Sequence, residues 1–343
     1  MNRFFIFLFT CFCICVLSFT YMEFIPSPFY HPVSWPKTSY YFKGNPVDGE
    51  KFELGRALFY DPILSRDSTI SCASCHLQYT AFAHVDHATS HGIEGRIGRR
   101  NAPSLANLAW RKSFHWDGGV TNLNGQAINP ITHVDEMDMY LDSLMYRLDR
   151  SPIYSAAFKR TFDTEDIRPF HLVKALAQYT VSLVSANSKY DKVVRAEDGV
   201  EFTEQEKKGQ ILFNNFCSSC HKAPFFANEE FKSNGLSLDP NLRDFGRMEI
   251  TGNKRDSLLF MVPTLRNIEY SFPYMHDGRI AKLKDVIKHY ILLDYSNPLI
   301  SKELRKNPVK LSENEQKDLL AFLKTLTDKT FIFDERFKYS TIK

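Results

Sequence analysis

The sequence predicts a mainly α-helical protein built from two similar halves. Three observations lead to this prediction. Apolar residues recur at helical spacing in several segments, the alternation typical of strands is scarce, and one short pattern occurs twice. Gly55-Arg-Ala-Leu-Phe59 and Gly209-Gln-Ile-Leu-Phe213 each precede a Cys-x-x-Cys-His motif. An internal duplication explains such a repeat, although a match of this length also arises by chance.

The composition limits the class of protein. The 343 residues are 43% hydrophobic and 24% charged, which is enough apolar material for two ordinary globular cores. Lys and Arg number 43 against 40 Asp and Glu, a net charge of only +3. Binding to a phosphate backbone requires a basic surplus. We therefore expect no nucleic-acid partner.

The N-terminus predicts export. An apolar run from Phe4 to Phe19 follows Arg3, the arrangement of a signal peptide, which we assign to residues 1–24. The run is long and lacks a clear small-residue cleavage site, so an uncleaved membrane anchor through residues 4–20 is the alternative. In both cases the body of the protein is periplasmic or otherwise exported.

The elements of the first half follow in order. Residues 25–47, rich in Pro and aromatic side chains, predict an extended lead-in. A helix is predicted from Glu50 to Tyr60, where the Asp61-Pro62 pair disfavours continuation. Further helices are predicted over about 137–148 and 169–185. The polar residues 187–198 then predict a linker.

The second half opens with a helix whose start is encoded locally. Thr203 can cap it while Glu206 reaches back in a capping box, and the helix is predicted to reach about Asn215. Apolar spacing predicts helices over 283–290 and 319–323, the latter behind a capping box of Ser312 and Glu315. We assign an N-terminal domain to residues 25–195 and a C-terminal domain to 196–343.

The chemistry is concentrated in the repeated cysteine motifs. Their residues are Cys72, Cys75 and His76 in the first half, and Cys217, Cys220 and His221 in the second. This spacing is typical of c-type haem attachment, in which two thiols bind the porphyrin and the histidine ligates the iron. A zinc site of four thiolates or redox-active cysteine pairs would leave the histidines unexplained. We therefore predict two covalent haems.

Five further motifs carry a family resemblance. In chain order they are FYDP (59–62), RNAPSL (100–105), WDG (116–118), VPTLRN (262–267) and PYMHDG (273–278). Together they resemble the bacterial di-haem cytochrome c peroxidase family over roughly residues 50–328. The resemblance implies two cytochrome c-like domains, an N-terminal peroxidatic haem and a C-terminal electron-transfer haem. It also implies reduction of hydrogen peroxide to water by electrons from a small redox protein, a monohaem cytochrome c or a cupredoxin, and it allows a homodimer.

The resemblance also assigns residues around the first haem. Glu136 corresponds to the family's distal glutamate and Gln126 to its distal glutamine, which would move and position the proton of peroxide. A carboxylate in the first turn of a helix is the alternative for Glu136. Trp116 corresponds to the tryptophan between the haems, the alternative being core packing. His91 lies close to the position of a sixth ligand to the first haem, or is simply an exposed loop histidine.

The second haem departs from the usual pattern of the family. The family's distal ligand stands fourteen residues after His276, and here that residue is Tyr290. Typical peroxidases have methionine there, whereas the MauG branch has tyrosine. A phenolate stabilises ferric iron. The alternative is an ordinary core aromatic on a helix.

The resemblance implies a calcium ion as well, held by the Asn101 side chain and the carbonyls of Ser271 and Pro273, which are oxygen ligands suited to this cation. Two other functions stay open. One is a MauG-like oxidase that acts on a protein or organic substrate, and the other is a di-haem electron carrier. A carrier has no use for a distal acid and base, so Glu136 and Gln126 favour an enzyme.

Overall fold

The computed structural model describes residues 27–342. The predicted signal or anchor lies outside these residues. Within them, every helix is too short or too polar to span a bilayer.

The described residues are mainly helical, as predicted. The α-helices are α1 Gly49–Tyr60, α2 Cys72–Cys75, α3 Leu123–Gln126, α4 Ile128–Thr132, α5 Leu141–Arg150, α6 Pro152–Phe162, α7 Pro169–Val181, α8 Lys189–Val194, α9 Glu204–Phe216, α10 Met248–Thr251, α11 Leu283–Ile291, α12 Lys302–Lys306, α13 Glu313–Lys324 and α14 Lys329–Ile332. Short 3-10 helices span Phe42–Gly44, Pro62–Leu64, Gln78–Thr80, Ile93–Gly95, Leu108–Trp110, Lys254–Asp256 and Glu335–Phe337. Two short antiparallel strands, β1 Phe231–Lys232 and β2 Phe260–Met261, pair with each other.

The two halves repeat one helix pair. Helix α1 packs on α7, and α9 packs on α13. A Cβ added at Gly55 would lie 1.9 Å from the carbonyl oxygen of Ala175, and one added at Gly209 would lie 2.0 Å from that of Asp318. Each pair of helices therefore touches at a glycine. The sequence repeat around these glycines corresponds to a repeat in the structure.

Each half has its own hydrophobic core. The first core gathers side chains from α1, α5, α6 and α7, and the second gathers side chains from α9, α11 and α13. The C-terminal residues Phe331, Ile332 and Phe337 return to the first core. The domain boundary at residues 195 and 196 remains a prediction.

Two predicted helices have different limits in the structure. The helix predicted over 137–148 begins only at Leu141. Met137, which suggested an earlier start, is buried in a turn against the first core. The helix predicted to reach residue 185 ends at Val181. Its extension is blocked because the Asn107 side chain bonds both backbone groups of Ser185.

The predicted linker over 187–198 is wrong in part, because it contains helix α8. Ser188 caps this helix, and Asp191 completes a capping box. The carboxylate of Asp191 also receives two hydrogen bonds from the buried guanidinium of Arg266. Asp191 is thus buried in an ion pair with a residue far along the chain, while residues 194–198 at the end of the segment are exposed.

Candidate functional site

A cavity of about 830 Å³ lies between the two halves. Its wall includes Cys75 and His76 from the first motif, and Cys217, Cys220 and His221 from the second. The structure thus brings both Cys-x-x-Cys-His motifs to one internal space.

The first motif begins on a one-turn helix. Helix α2 starts at a capping box of Ser71 and Ser74, and its C-cap is His76. The Nδ1 atom of His76 lies 2.8 Å from the carbonyl oxygen of Phe82, and burial lowers the pKa of the ring to about 4. A neutral ring that donates from Nδ1 leaves Nε2 unprotonated. His76 is therefore prepared to ligate a metal through Nε2.

The histidine of the second motif is held in the same way. Nδ1 of His221 lies 3.1 Å from the carbonyl oxygen of Phe226 and 3.2 Å from that of Pro263. Burial again lowers the pKa of the ring to about 4. Partners of this kind fix the tautomer and the orientation of a ligating histidine.

The four thiols fit haem attachment. All are free of disulfides, and burial raises the pKa of Cys72 to about 12 and that of Cys75 to about 11. Within residues 27–342, His, Cys, Asp and Glu side chains form no cluster of three or more that could hold a bare metal ion. Within these residues the four thiols are thus not gathered into the single four-thiolate site considered above. Two thiols with one neutral imidazole in each half match the donor set of a c-type haem.

Glu136 lines the cavity near the first motif. It lies in a turn between α4 and α5 rather than at a helix start, so the helix-start alternative is wrong. The backbone is held there because the Ile93 N–H donates to the Glu136 carbonyl at 2.8 Å, and because Gly92 leaves no room for a Cβ. Burial raises the pKa of the Glu136 carboxyl, while His133 opposes that shift.

Gln126 is the last residue of α3 and also lines the cavity. Its Nε2 lies 3.2 Å from Nε2 of His115. His115 received no role from the sequence. The signal was available in the alignment of Phe114-His115-Trp116-Asp117-Gly118 with Tyr274-Met275-His276-Asp277-Gly278.

Trp116 lies at the junction of the halves and lines the cavity. Its indole donates to the carbonyl oxygen of Asn101 at 2.9 Å, and its own carbonyl accepts from the N–H of Met261 at 2.8 Å. The Asn101 N–H in turn donates to the His276 carbonyl at 2.7 Å. The indole is thus bonded to the first half, while the backbones of Trp116 and Asn101 are bonded to the second half.

Tyr290 on α11 lines the cavity together with the second motif. Burial raises the pKa of its phenol, and the neighbouring Cys217 and Cys220 thiols add to that rise. The adjacent His289 instead places Nε2 2.9 Å from the carbonyl oxygen of Asn234. Of these two neighbours on the helix, Tyr290 is the one that reaches the site.

The predicted distal ligand of the first haem and the predicted calcium ligands are placed differently relative to the cavity. The His91 ring stacks on His87, with centroids 4.0 Å apart, and it is not part of the cavity wall. Ligation by His91 remains a prediction that this placement does not support. Asn101, Ser271 and Pro273 all line the cavity, and calcium binding by them also remains a prediction.

Sequence reasoning missed Arg100, which joins the halves. Its guanidinium donates to both carboxylate oxygens of Asp244 at 2.6 and 2.8 Å, and it also bonds Asp117. Burial alone would lower the pKa of Arg100, but the two carboxylates raise it. Its place in the RNAPSL motif was the only local signal.

Comparisons with known proteins agree with this site. A model of the family described as di-haem cytochrome c peroxidase matches residues 49–199. The methylamine utilization protein MauG of Methylorubrum extorquens is 35% identical over 295 residues, which cover 83% of this chain and 80% of that protein. The cytochrome c551 peroxidase of Nitrosomonas europaea is 32% identical over 286 residues, covering 82% and 81% of the two chains.

A solved structure is similar as well. The crystal structure of a MauG-like protein associated with microbial copper homeostasis superposes with a TM-score of 0.79 at 32% identity, and the match covers 90% of this chain and 97% of that one. The cavity, its two Cys-x-x-Cys-His motifs and these relatives lead to one assignment. The chain belongs to the di-haem cytochrome c peroxidase family.

Proposed function

We propose that this protein reduces hydrogen peroxide to two waters with electrons from a small redox protein. The observation that carries the proposal is that Glu136 and Gln126 line the same cavity as His76. A buried carboxyl with a raised pKa suits proton transfer near neutral pH. An electron carrier would gain nothing from this group.

Family membership implies two c-type haems, and the residues present fit them. Cys72 and Cys75 would hold the first through thioether bonds, and Cys217 and Cys220 the second. His76 and His221 would each ligate iron through Nε2. When bound, the haems supply an open coordination position and the capacity to store electrons.

Side chains of the protein would accept and donate the protons of the reaction. Glu136 accepts the proton of the peroxide oxygen nearer the first motif and returns it to the departing oxygen. Gln126 holds the peroxide in place by its amide. The reaction consumes two protons and two electrons for each peroxide, and a one-electron donor supplies the electrons in two steps. We assign electron passage between the halves to Trp116, which is bonded to both.

A second function is favoured by Tyr290. A phenolate at the second iron would stabilise the ferric state, which opposes storage of an electron there. This favours an oxidase of the MauG type, in which a protein or organic substrate supplies the electrons. The relatives include both MauG and cytochrome c peroxidases.

The further assignments are also proposals. They comprise the domains 25–195 and 196–343, calcium at Asn101, Ser271 and Pro273, export to the periplasm, and a monohaem cytochrome c or cupredoxin as donor.

Steady-state assays of the holoprotein separate the two functions. With reduced cytochrome c and peroxide, two donors oxidised per peroxide at a rate far above that of free haem supports the peroxidase. Peroxide consumption coupled to oxidation of a protein or organic substrate, with the cytochrome left reduced, supports the oxidase. If peroxide is consumed no faster than by free haem, both proposals fail.

A further inference from the structure

We propose that His115 is a positioning residue that holds the Gln126 amide on the distal side of the first site. The inference rests on the proposed function, because it assigns Gln126 to ligand binding there. The contact joins Nε2 of Gln126 to Nε2 of His115 at 3.2 Å, and both side chains line the cavity.

The surroundings of His115 favour this hydrogen bond. Burial lowers the pKa of the ring and Arg100 and His133 lower it further, while Asp117 and a hydrogen bond to the Gln126 backbone oppose this shift. A neutral imidazole can accept one amide N–H of Gln126 at Nε2. The second N–H and the Oε1 atom of the amide then stay free for a ligand in the cavity. Without the ring, the Gln126 side chain would have to be ordered when the ligand binds, which costs affinity.

The second half contains a parallel arrangement. Met275 occupies the position of His115 in the aligned turn, and the two backbones share a left-handed conformation, with φ of 76° and 67°. The Met275 sulfur lies 3.1 Å from Nδ2 of Asn234, another amide in the cavity wall. Each half therefore uses this turn position to contact an amide of the cavity wall. The two amides come from different positions relative to the turn, so the likeness lies in the turn itself, and it shows which residues this turn accepts.

The same comparison supplies a suitable variant. Because Met275 already adopts the required backbone in this fold, His115→Met should preserve the turn while removing the hydrogen bond. His115→Gln retains a polar side chain able to bond the amide. His171→Met is a matched control, since its buried ring lies in α7 and outside the cavity wall.

The test is equilibrium binding of cyanide to the ferric holoprotein, followed by the Soret band of the first haem. His115→Met should weaken cyanide binding roughly three- to ten-fold, the effect of one hydrogen bond. His115→Gln should restore most of the affinity, and His171→Met should leave it unchanged. In a Gln126→Leu background, His115→Met should have no further effect, because the two residues act as one unit.

The possible results distinguish failure of the positioning role of His115 from failure of the proposed function. Wild-type affinity in His115→Met, or an equal loss in the Gln126→Leu background, overturns the positioning role while leaving the peroxidase proposal intact. A protein that neither binds cyanide at the first haem nor turns over peroxide contradicts the proposed function itself. Melting temperature and the unliganded Soret spectrum show whether each variant is folded. If His115→Met misfolds, the cyanide affinities of His115→Gln and Gln126→Leu are compared instead.

Discussion

The two motif histidines are held by the same kind of hydrogen bond, although their surroundings in the sequence differ. Each ring donates from Nδ1 to the carbonyl of a phenylalanine, Phe82 or Phe226. Both phenylalanines have left-handed backbones, with φ of 59° and 51°. This conformation turns the chain back so that its carbonyl reaches the ring. The ligand geometry is thus fixed by backbone atoms, which side-chain motifs do not reveal.

Replacing Glu136 by Gln should lower peroxide turnover by about two to four orders of magnitude, because the amide cannot accept the peroxide proton. The wild-type rate should also fall as the pH drops through the raised pKa of Glu136, since only the carboxylate is a base. The variant should lose this pH dependence. Stopped-flow rates measured across pH test both statements.

Glu165→Gln is a suitable control, because this carboxylate is 92% exposed and far from the motifs in sequence. Its turnover should equal that of the wild type. Haem spectra should be unchanged in both variants. Wild-type turnover in Glu136→Gln would leave this carboxyl without a catalytic role.

Tyr290→Met should raise the reduction potential of one haem and leave the other nearly unchanged. A phenolate stabilises Fe(III) relative to Fe(II), whereas a thioether does the reverse. Redox titration followed by the spectra of the two haems measures the change. His289→Asn is the control, since that ring bonds the Asn234 carbonyl. If Tyr290→Phe keeps both potentials and spectra, the tyrosine only packs, and the MauG-like function loses its main support.

Helix starts were predictable where a local capping signal is followed by apolar residues at helical spacing. Both predicted capping boxes, Thr203 with Glu206 and Ser312 with Glu315, are present. Helix α8 has the same kind of signal, a capping box of Ser188 with Asp191, but its segment is polar and the helix was not predicted. Local patterns therefore predict a helix when apolar spacing follows the cap, and they fail for a short polar helix such as α8, whose Asp191 is also bonded by the distant Arg266.

Gly55→Ala and Gly209→Ala should each destabilise the protein by about 1–3 kcal/mol. The added methyl group would meet a backbone carbonyl oxygen at 1.9 or 2.0 Å, so the helix pair must separate. This cost should exceed the helix-propensity gain of about 1 kcal/mol. Gly125→Ala is the matched control, because nothing lies within 4 Å of its Cβ position. Urea unfolding that shows all three variants equally stable would contradict the close approach.

The whole molecule is organised around a cavity whose wall comes from both halves. Trp116 and Asn101 of the first half bond residues of the second, and the C-terminal Phe331 and Phe337 return to the first core. The sequence predicted the duplication and the two motifs. It could not predict their shared cavity, because the joining contacts, such as that of Arg100 with Asp244, link residues 144 apart.

The duplication predicts one covalent haem in each half. Acid-acetone extraction should leave haem on the polypeptide, and the intact mass should exceed that of the apoprotein by two haems. Cys217→Ala combined with Cys220→Ala should remove thioether attachment in the second half alone. A wild-type mass corresponding to a single haem would contradict the equivalence of the two sites.

Arg100 is an electrostatic link between the halves, so Arg100→Met should destabilise the protein by about 3–5 kcal/mol at pH 7. The reason is that the Asp244 side chain, only 2% exposed, would keep its charge with no cationic partner and only the Gly246 N–H as a donor. Arg99→Met is the control, since Arg99 is half exposed, and we expect a loss of about 1 kcal/mol or less.

Acid should change the contribution of Asp244 to stability in opposite directions in Arg100→Met and in the wild type. Burial alone would raise the pKa of Asp244, but Arg100 outweighs burial and lowers it. In the wild type this carboxylate therefore contributes stability above its unfolded pKa of about 3.9, and the contribution is lost as the pH falls through the lower folded value. Without Arg100, burial would raise the folded pKa, so protonation would relieve the strain. The stability deficit of Arg100→Met should thus shrink between pH 7 and pH 4 in urea unfolding, and Asp244→Asn should recover part of it at pH 7. An equal deficit at both pH values would show that Asp244 is not the group left unpaired.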